Sequence, residues 1–449
     1  MTMMLDIYLE GLEPKIGQLM RANDMSLHFS YSIDAIIANT QLSITMPVAQ
    51  ETFGDYITRG FFSNLLQENN SLESVMAKHG IERNDIAGLL YHLGRDCPGA
   101  ISCVPWGDKP AKMPGDMNVD YDILSEEELG DILMSLRDKR RLPDRGNDPS
   151  PLAGVQGKIA VTKLEDGQFA LPKPGSGAPT THIIKIPSKD DAALVDQEAA
   201  LMKLATQVLP LQVANVEILE IRGCRALLID RFDRQINGHK IYRIHQEDFC
   251  QALSLGPLLK YERNGEKDHK FSANGIAKIL SETDVPLTAR QHFILLSIFN
   301  LVVGNTDNHA KNHSILYRNL DEKPVLAPAY DIVPVLLDNS VTHEFSFNIG
   351  NAREIEDLSM DNIAAFISSI GLGRAIRTNK LRKAYFHQLG DLLQNIEDNL
   401  EQLEGAALKS CRDMISQNIS TIAEIIEAPV KQTTRDAFVA KGGGWGFGS

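Results

Sequence analysis

Residues 293–303 read Phe-Ile-Leu-Leu-Ser-Ile-Phe-Asn-Leu-Val-Val, and wound into a helix they are apolar on nearly every side. Such a helix has no face to give to water, so it belongs at the centre of a lobe whose other elements wrap it. It falls well short of the roughly 20 residues needed to cross a bilayer, and Ser297 and Asn300 interrupt it. The adjoining loop is equally constraining. Residues 304–314, Gly-Asn-Thr-Asp-Asn-His-Ala-Lys-Asn-His-Ser, crowd ionisable and amide side chains directly behind the buried helix.

Within that loop Asp307 and Asn312 have the D-x-x-x-x-N spacing of a protein-kinase catalytic loop. There the aspartate accepts the proton of the attacking hydroxyl, and the asparagine holds a magnesium ion on ATP. Asp331, in Ala-Tyr330-Asp-Ile and flanked by Pro328 and Pro334, follows at a distance suited to the second metal ligand. Two carboxylates and an amide oxygen suit Mg2+, a hard cation that keeps some of its waters. His309 and Lys311 would then contact ATP phosphates. The plainer reading is a polar turn, because Asn and Asp bend and cap chains readily. The density of reactive side chains behind a buried helix favours catalysis.

Periodicity divides the rest of the chain. Residues 1–105 read as short strands and turns around small helices, with strand-like runs at 5–9 and 42–46 and a helix-like run from 61. A Pro- and Asp-rich connection leads to a helix announced by the capping box Ser125 with Glu128 and closed by the basic cluster 137–141. Strands are expected at 158–162, 168–171, 182–186 and 226–229, with one helix at about 192–208. Beyond about 245 the pattern is mostly helical, including the stripe Leu389, Leu392, Leu393, Ile396, Leu400 and Leu403, and a glycine-rich tail closes the chain. Strands followed by helices, with the chemistry at the join, is the α+β layout of a protein-kinase-like two-lobed fold. The expected domains are 1–120, 121–240, 241–440 and a flexible tail at 441–449.

Lys185 alternates with apolar residues on the strand expected at 182–186. Alone it reads as a solvated strand face. Paired with Glu198 of the next helix, it would sit against the α- and β-phosphates as a kinase lysine does. Upstream, Ala153, Gly154, Val155, Gln156, Gly157 and Lys158 form a small-residue loop before a strand. Its backbone N–H groups would approach phosphate oxygens closely, with Lys158 adding charge. It is not a Walker A motif, and a tight turn is the competing reading.

At 449 residues the chain has room for two or three domains. A net charge of -14 argues against a large nonspecific grip on DNA. Cys97, Cys103, Cys224, Cys250 and Cys411 form no C-x-x-C pair, which fits a reducing cytoplasm. No basic leader with an apolar core opens the sequence, and no membrane association is expected.

At these residues the chain resembles the HipA family of bacterial serine/threonine kinase toxins. The resemblance rests on residues 179–185, 231–234, 246–251, 304–314 and 330–332, and on Gly94-Arg95-Asp96 with Gly99-Ala100. It implies an extra N-terminal α/β subdomain and an all-helical C-lobe, with Asp307 as catalytic base and Asn312 and Asp331 as Mg2+ ligands. It places ATP on the loop 153–158 with Lys185, on Asp230, Arg231 and Phe232 as the hinge, and on His309, Ala310, Lys311, Asn312, Tyr330 and Asp331. It further implies phosphorylation of a protein serine, with an aminoacyl-tRNA synthetase as the type of target, and so growth arrest and persistence. The implied partner is a HipB-like helix-turn-helix antitoxin, through which operator DNA is bound and the operon repressed. The family loop usually carries a serine, the site of inactivating autophosphorylation, where this chain has Pro151. Ser150, one residue earlier, is the candidate in its place. Two other readings stand beside the toxin kinase: a kinase of a small molecule or lipid, and a catalytically weak co-repressor subunit.

Overall fold

The computed structural model describes residues 2–66, 70–139 and 157–433. Ala153, Gly154, Val155 and Gln156 of the expected phosphate loop, Ser150, Pro151 and the glycine-rich tail lie outside the described residues. The chain gathers into two compact units. The first takes the described residues up to Ala192 with Glu217–Pro257 and Ser314–Val325; the second takes Ala193–Val216, Leu258–His313 and the chain from Leu326.

In the first unit β1 (Met3–Leu9), β2 (Gly17–Arg21), β3 (Leu27–Tyr31), β4 (Thr52–Phe53) and β5 (Ile101–Pro105) form an antiparallel sheet in the order β4-β3-β2-β1-β5. Period-2 alternation turns Leu5, Ile7 and Leu9 inward with Leu19, Leu27 and Phe29. Four helices belong to this region: α1 (Ile33–Ile37), α2 (Asp55–Phe62), α3 (Asn70–His79) and α4 (Ile86–Leu93). Of these, α2 and α4 lie against the sheet, and α4 buries Ile86, Leu89 and Leu90.

Residues 42–46, expected as a strand, instead make a turn closed by a single Ser43–Met46 bridge. Glu247 is the cause. Its buried carboxylate accepts hydrogen bonds from Ser43 Oγ at 2.6 Å, from Ile44 N at 3.0 Å and from the Tyr317 hydroxyl, so these groups are satisfied without a strand ladder.

After β6 (Gly115–Asp116), six strands make the second sheet: β7 (Tyr121–Ile123), β8 (Gly157–Lys163), β9 (Phe169–Pro172), β10 (His182–Ile186), β11 (Val216–Ile221) and β12 (Cys224–Asp230). Their order is β11-β12-β10-β8-β9-β7. α5 (Glu126–Lys139) covers β8, β10 and β12, setting Leu129, Ile132, Leu133 and Leu136 on Ile159, Val161, Ile184 and Ile186. Its capping box forms as expected: Ser125 N donates to Glu128 Oε2 at 2.9 Å, and Glu128 N donates to Ser125 Oγ at 3.2 Å. β13 (Arg234–Asn237) and β14 (Lys240–Arg243) join β6 in a small sheet.

The chain beyond 241 is not helical throughout, contrary to expectation. β15 (His245–Asp248) and β16 (Ser314–Tyr317) pair antiparallel. All four residues of β16 are buried, so no alternation marks it as a strand.

The second unit carries α6 (Ala193–Val208), α7 (Ala273–Ser281), α8 (Pro286–Val302), α9 (Met360–Ile367), α10 (Asn379–Asn399) and α11 (Ala406–Ile425). α8 is the apolar helix. Pro286 opens it, where a missing N–H costs nothing, and residues 293–303 are all buried apart from half-buried Leu295. Asn418 of α11 donates to the carbonyls of Leu301 and Val302, satisfying acceptors the helix end leaves open. On α10 the expected stripe is buried from Leu389 to Ile396, and Leu400 and Leu403 continue it. Among the described residues no helix is long and apolar enough to cross a membrane. All five cysteines are buried free thiols.

Candidate active site

The loop behind α8 is fixed by contacts with distant parts of the second unit. Gly304 turns the chain at φ +71, and a Cβ there would lie 2.8 Å from the Met414 sulfur, so glycine is required twice over. The Gly304 carbonyl accepts from Leu336 N at 3.0 Å, Thr306 O accepts from Ser346 Oγ at 2.8 Å, and Ala310 N donates to Lys260 O at 3.0 Å. Asp307 is held between these tethers. Its Oδ1 accepts a hydrogen bond from the Tyr261 hydroxyl at 2.7 Å. Burial pushes the Asp307 carboxyl up; the Tyr261 bond opposes this, Asp331 adds to it, and Lys260 and Arg263 oppose it.

Asn312 donates through Nδ2 to the Asp307 carbonyl at 3.0 Å, an orientation that leaves its Oδ1 as a ligand. His309 is half-buried, and burial holds it down to about 3, so it offers a neutral ring rather than a cation. Tyr330 donates to the Lys311 carbonyl at 2.9 Å. Asp331 adopts φ +58, a conformation costly for a residue with a Cβ and concentrated at functional sites. Flanking bonds enforce it. Ala329 is tied to Gln212 and Ala214 at 2.8 Å on each side, and Asn305 Nδ2 reaches the Asp331 carbonyl at 3.4 Å.

These contacts bring Asp307, His309, Ala310, Lys311, Asn312, Tyr330 and Asp331 together within the second unit. The donor set fits a hard cation: the carboxylates of Asp307 and Asp331, the second close enough to raise the first, and an amide oxygen, with the orphaned buried Oδ1 of Asn305 in the same loop. Among the described residues no group of three or more His, Cys, Asp or Glu side chains is placed to hold a metal ion, so a cation here would rest on the two carboxylates with the Asn312 amide oxygen. Tyr261 was not foreseen from the sequence; it stands 46 residues before Asp307 with no local motif.

The first unit carries the other candidates. Lys185 on β10 is buried at 6% exposure and stands directly opposite Lys158 on β8. Like charges facing across an antiparallel pair cost up to about 1 kcal/mol, a penalty that anionic groups offset. Glu198, the expected partner of Lys185, is buried on α6 in the second unit. Asp230 ends β12 with Oδ1 3.0 Å from His182 Nε2. The Arg231 guanidinium is committed to Asp233, at 3.1 and 3.0 Å, and to Thr180 Oγ1 at 3.2 Å, so at the expected hinge Arg231 offers backbone rather than charge. Phe232 follows it, half-buried.

Comparison with known proteins gives the chain its family. Residues 150–399 match the model of the HipA-like C-terminal domain, and residues 5–104 match that of the HipA N-terminal domain. The chain belongs to the HipA family. It is 32% identical over 363 residues to Y4mE of Sinorhizobium fredii, named as a kinase, covering 80% of this chain and 84% of that one. It is 29% identical over 397 residues to the serine/threonine-protein kinase toxin HipA of Shewanella oneidensis, covering 85% of this chain and 87% of that one. HipA in the solved complex of Shewanella oneidensis HipA, HipB and operator DNA is similar over 94% of this chain and 96% of that one, with a TM-score of 0.73 and 25% identity.

Proposed function

We propose that this HipA-family protein is an ATP- and Mg2+-dependent serine/threonine protein kinase and the toxin of a toxin–antitoxin module. The observation that carries the reading is the half-buried Asp307 carboxylate beside Asn312 and Asp331, on a loop tethered by hydrogen bonds to distant residues. Asp307 accepts the proton of the substrate hydroxyl. Asn312 Oδ1 and Asp331 hold Mg2+, while Lys185, Lys158 and the loop 153–157 bind phosphate oxygens. Asp230, Arg231 and Phe232 border the adenine, and His309, Ala310, Lys311 and Tyr330 complete the nucleotide contacts. When bound, Mg2+ and ATP supply the transferable phosphoryl group and neutralise the charge that develops on it.

The substrate is a protein hydroxyl of the aminoacyl-tRNA synthetase type, and phosphorylating it arrests growth. A HipB-like helix-turn-helix antitoxin binds the chain and brings it to operator DNA. The support is kinship with a named kinase toxin and with a solved toxin–antitoxin–DNA complex, together with a net charge of -14 that leaves DNA reading to the partner. Ser150 is the autophosphorylation candidate; mass spectrometry after incubation with Mg-ATP tests it, and phosphate found only elsewhere removes it. Induced expression tests the toxin role. Growth arrest by the wild type and none by Asp307→Gln is expected, with antitoxin binding retained; arrest that survives the substitution contradicts the kinase reading.

A further inference from the structure

We propose that Tyr261 is a positioning residue for the general base, assigning Asp307 Oδ1 to orientation and leaving Oδ2 to take the substrate proton. The inference rests on the kinase reading of Asp307 and deepens it. A carboxylate on an irregular loop can rotate about its side-chain torsions, and a general base must stay within hydrogen-bond reach of the proton it removes. A third group that orients the base is the recurrent solution. Tyr261 has that geometry, with its hydroxyl 2.7 Å from Oδ1. Among the described residues Oδ2 accepts no hydrogen bond from the chain.

Tyr261 is itself held from both sides. Before it, Lys260 O accepts from Ala310 N at 3.0 Å; after it, Glu262 N donates to Ser346 O at 2.8 Å. The buried Glu262 carboxylate takes Lys270 Nζ and Asn348 N, each at 2.7 Å. Ser346 also donates to Thr306 O, one residue before Asp307. The segment that carries Tyr261 and the loop that carries Asp307 thus share their anchors. The ring is clamped as well, with the Arg263 guanidinium 4.1 Å from its centroid and the His309 ring edge-on at 5.3 Å. A hydroxyl fixed this firmly is a permanent orienting donor, not a mobile stand-in for substrate.

The test compares wild type, Tyr261→Phe and Asp307→Gln in transfer of label from radiolabelled Mg-ATP to protein, the chain itself included. Initial rates are taken across ATP concentrations, with ADP-binding stoichiometry and melting temperature measured alongside. Positioning predicts that Tyr261→Phe lowers the maximal rate about 10- to 100-fold. The half-saturating ATP concentration, the stoichiometry and the melting temperature should stay within about twofold or a few degrees, a split that a folding defect would not produce. A maximal rate within twofold of wild type overturns the proposal. So does a fall in rate matched by a fall in binding stoichiometry, which would make the residue structural. Equal transfer by wild type and Asp307→Gln overturns the kinase reading and the Tyr261 role with it. Asp307-dependent transfer with Tyr261→Phe unaffected overturns the Tyr261 role alone.

Discussion

The lysine sheet of the first unit and the aspartate loop of the second hold their candidate residues by different means. Lys185 and Lys158 face each other because β8 and β10 pair in a register that the apolar residues on either side dictate. Asp307 and Asp331 lie on backbone that is neither helix nor strand, Asn312 ends a single 3-10 turn over Ala310–Asn312, and Asp331 sits at positive φ. Their placement depends on single hydrogen bonds to Tyr261, Lys260, Ser346, Gln212 and Leu336. A sheet spreads the burden of position over many equivalent bonds, so one side chain there can be changed with little movement of the rest. The loop has no such redundancy, and each of its tethers is a separate point of failure.

That contrast can be broken first at the metal ligands. Asp331→Ala removes a carboxylate at the site expected to hold Mg2+, and transfer should fall about 100- to 1,000-fold even at high Mg2+; less than a tenfold loss would take Asp331 out of the metal site. On the sheet, Lys185→Met should act mainly on ATP binding, raising half-saturation about tenfold or more by loss of a charge-assisted contact. Half-saturation within twofold of wild type would take Lys185 out of the phosphate contacts.

The loop's intolerance is sharpened at Gly304. A methyl group there meets Met414 at 2.8 Å and imposes positive φ on an L side chain, so Gly304→Ala should destabilise by about 1–3 kcal/mol. Denaturant midpoints read this directly, and an unchanged midpoint would show that the turn relaxes.

The smallest effect is a pH dependence of stability centred on Glu247. Burial raises its carboxyl to about 7, so the native state binds this proton more tightly than the unfolded chain. The stability it contributes is full below about 4.5 and is lost as pH rises through 7. His245 and His313, each held down to about 4 by burial, act in the opposite sense between about 4 and 6.5. Comparing Glu247→Gln with wild type isolates the carboxyl. The variant should gain on wild type by about 2–4 °C in melting temperature per kcal/mol removed on going from pH 5 to pH 8. Parallel curves would show that Glu247 is not protonated in the fold.

Legibility in the sequence followed the same division. The strand of Lys185, the capping box of α5 and the apolar helix α8 were readable because periodicity and capping are local. The Asp307–Asn312 spacing was readable as well, five residues apart in one loop. The turn at 42–46 was misread because a glutamate 203 residues away satisfies its backbone. Tyr261 was not found for the same reason: nothing near it in the chain records the carboxylate it meets. β16 was hidden by burial on both faces. Contacts distant in sequence leave no local pattern, and this loop is built from them.

The central claim, that Asp307 is the base of a phosphoryl transfer, is tested most directly by labelled Mg-ATP offered to wild type and to Asp307→Gln at equal folded concentration. Protein-bound label should form with the wild type and fall about 100- to 10,000-fold in the variant, while ADP binds both alike. Label forming at the same rate in both would contradict it.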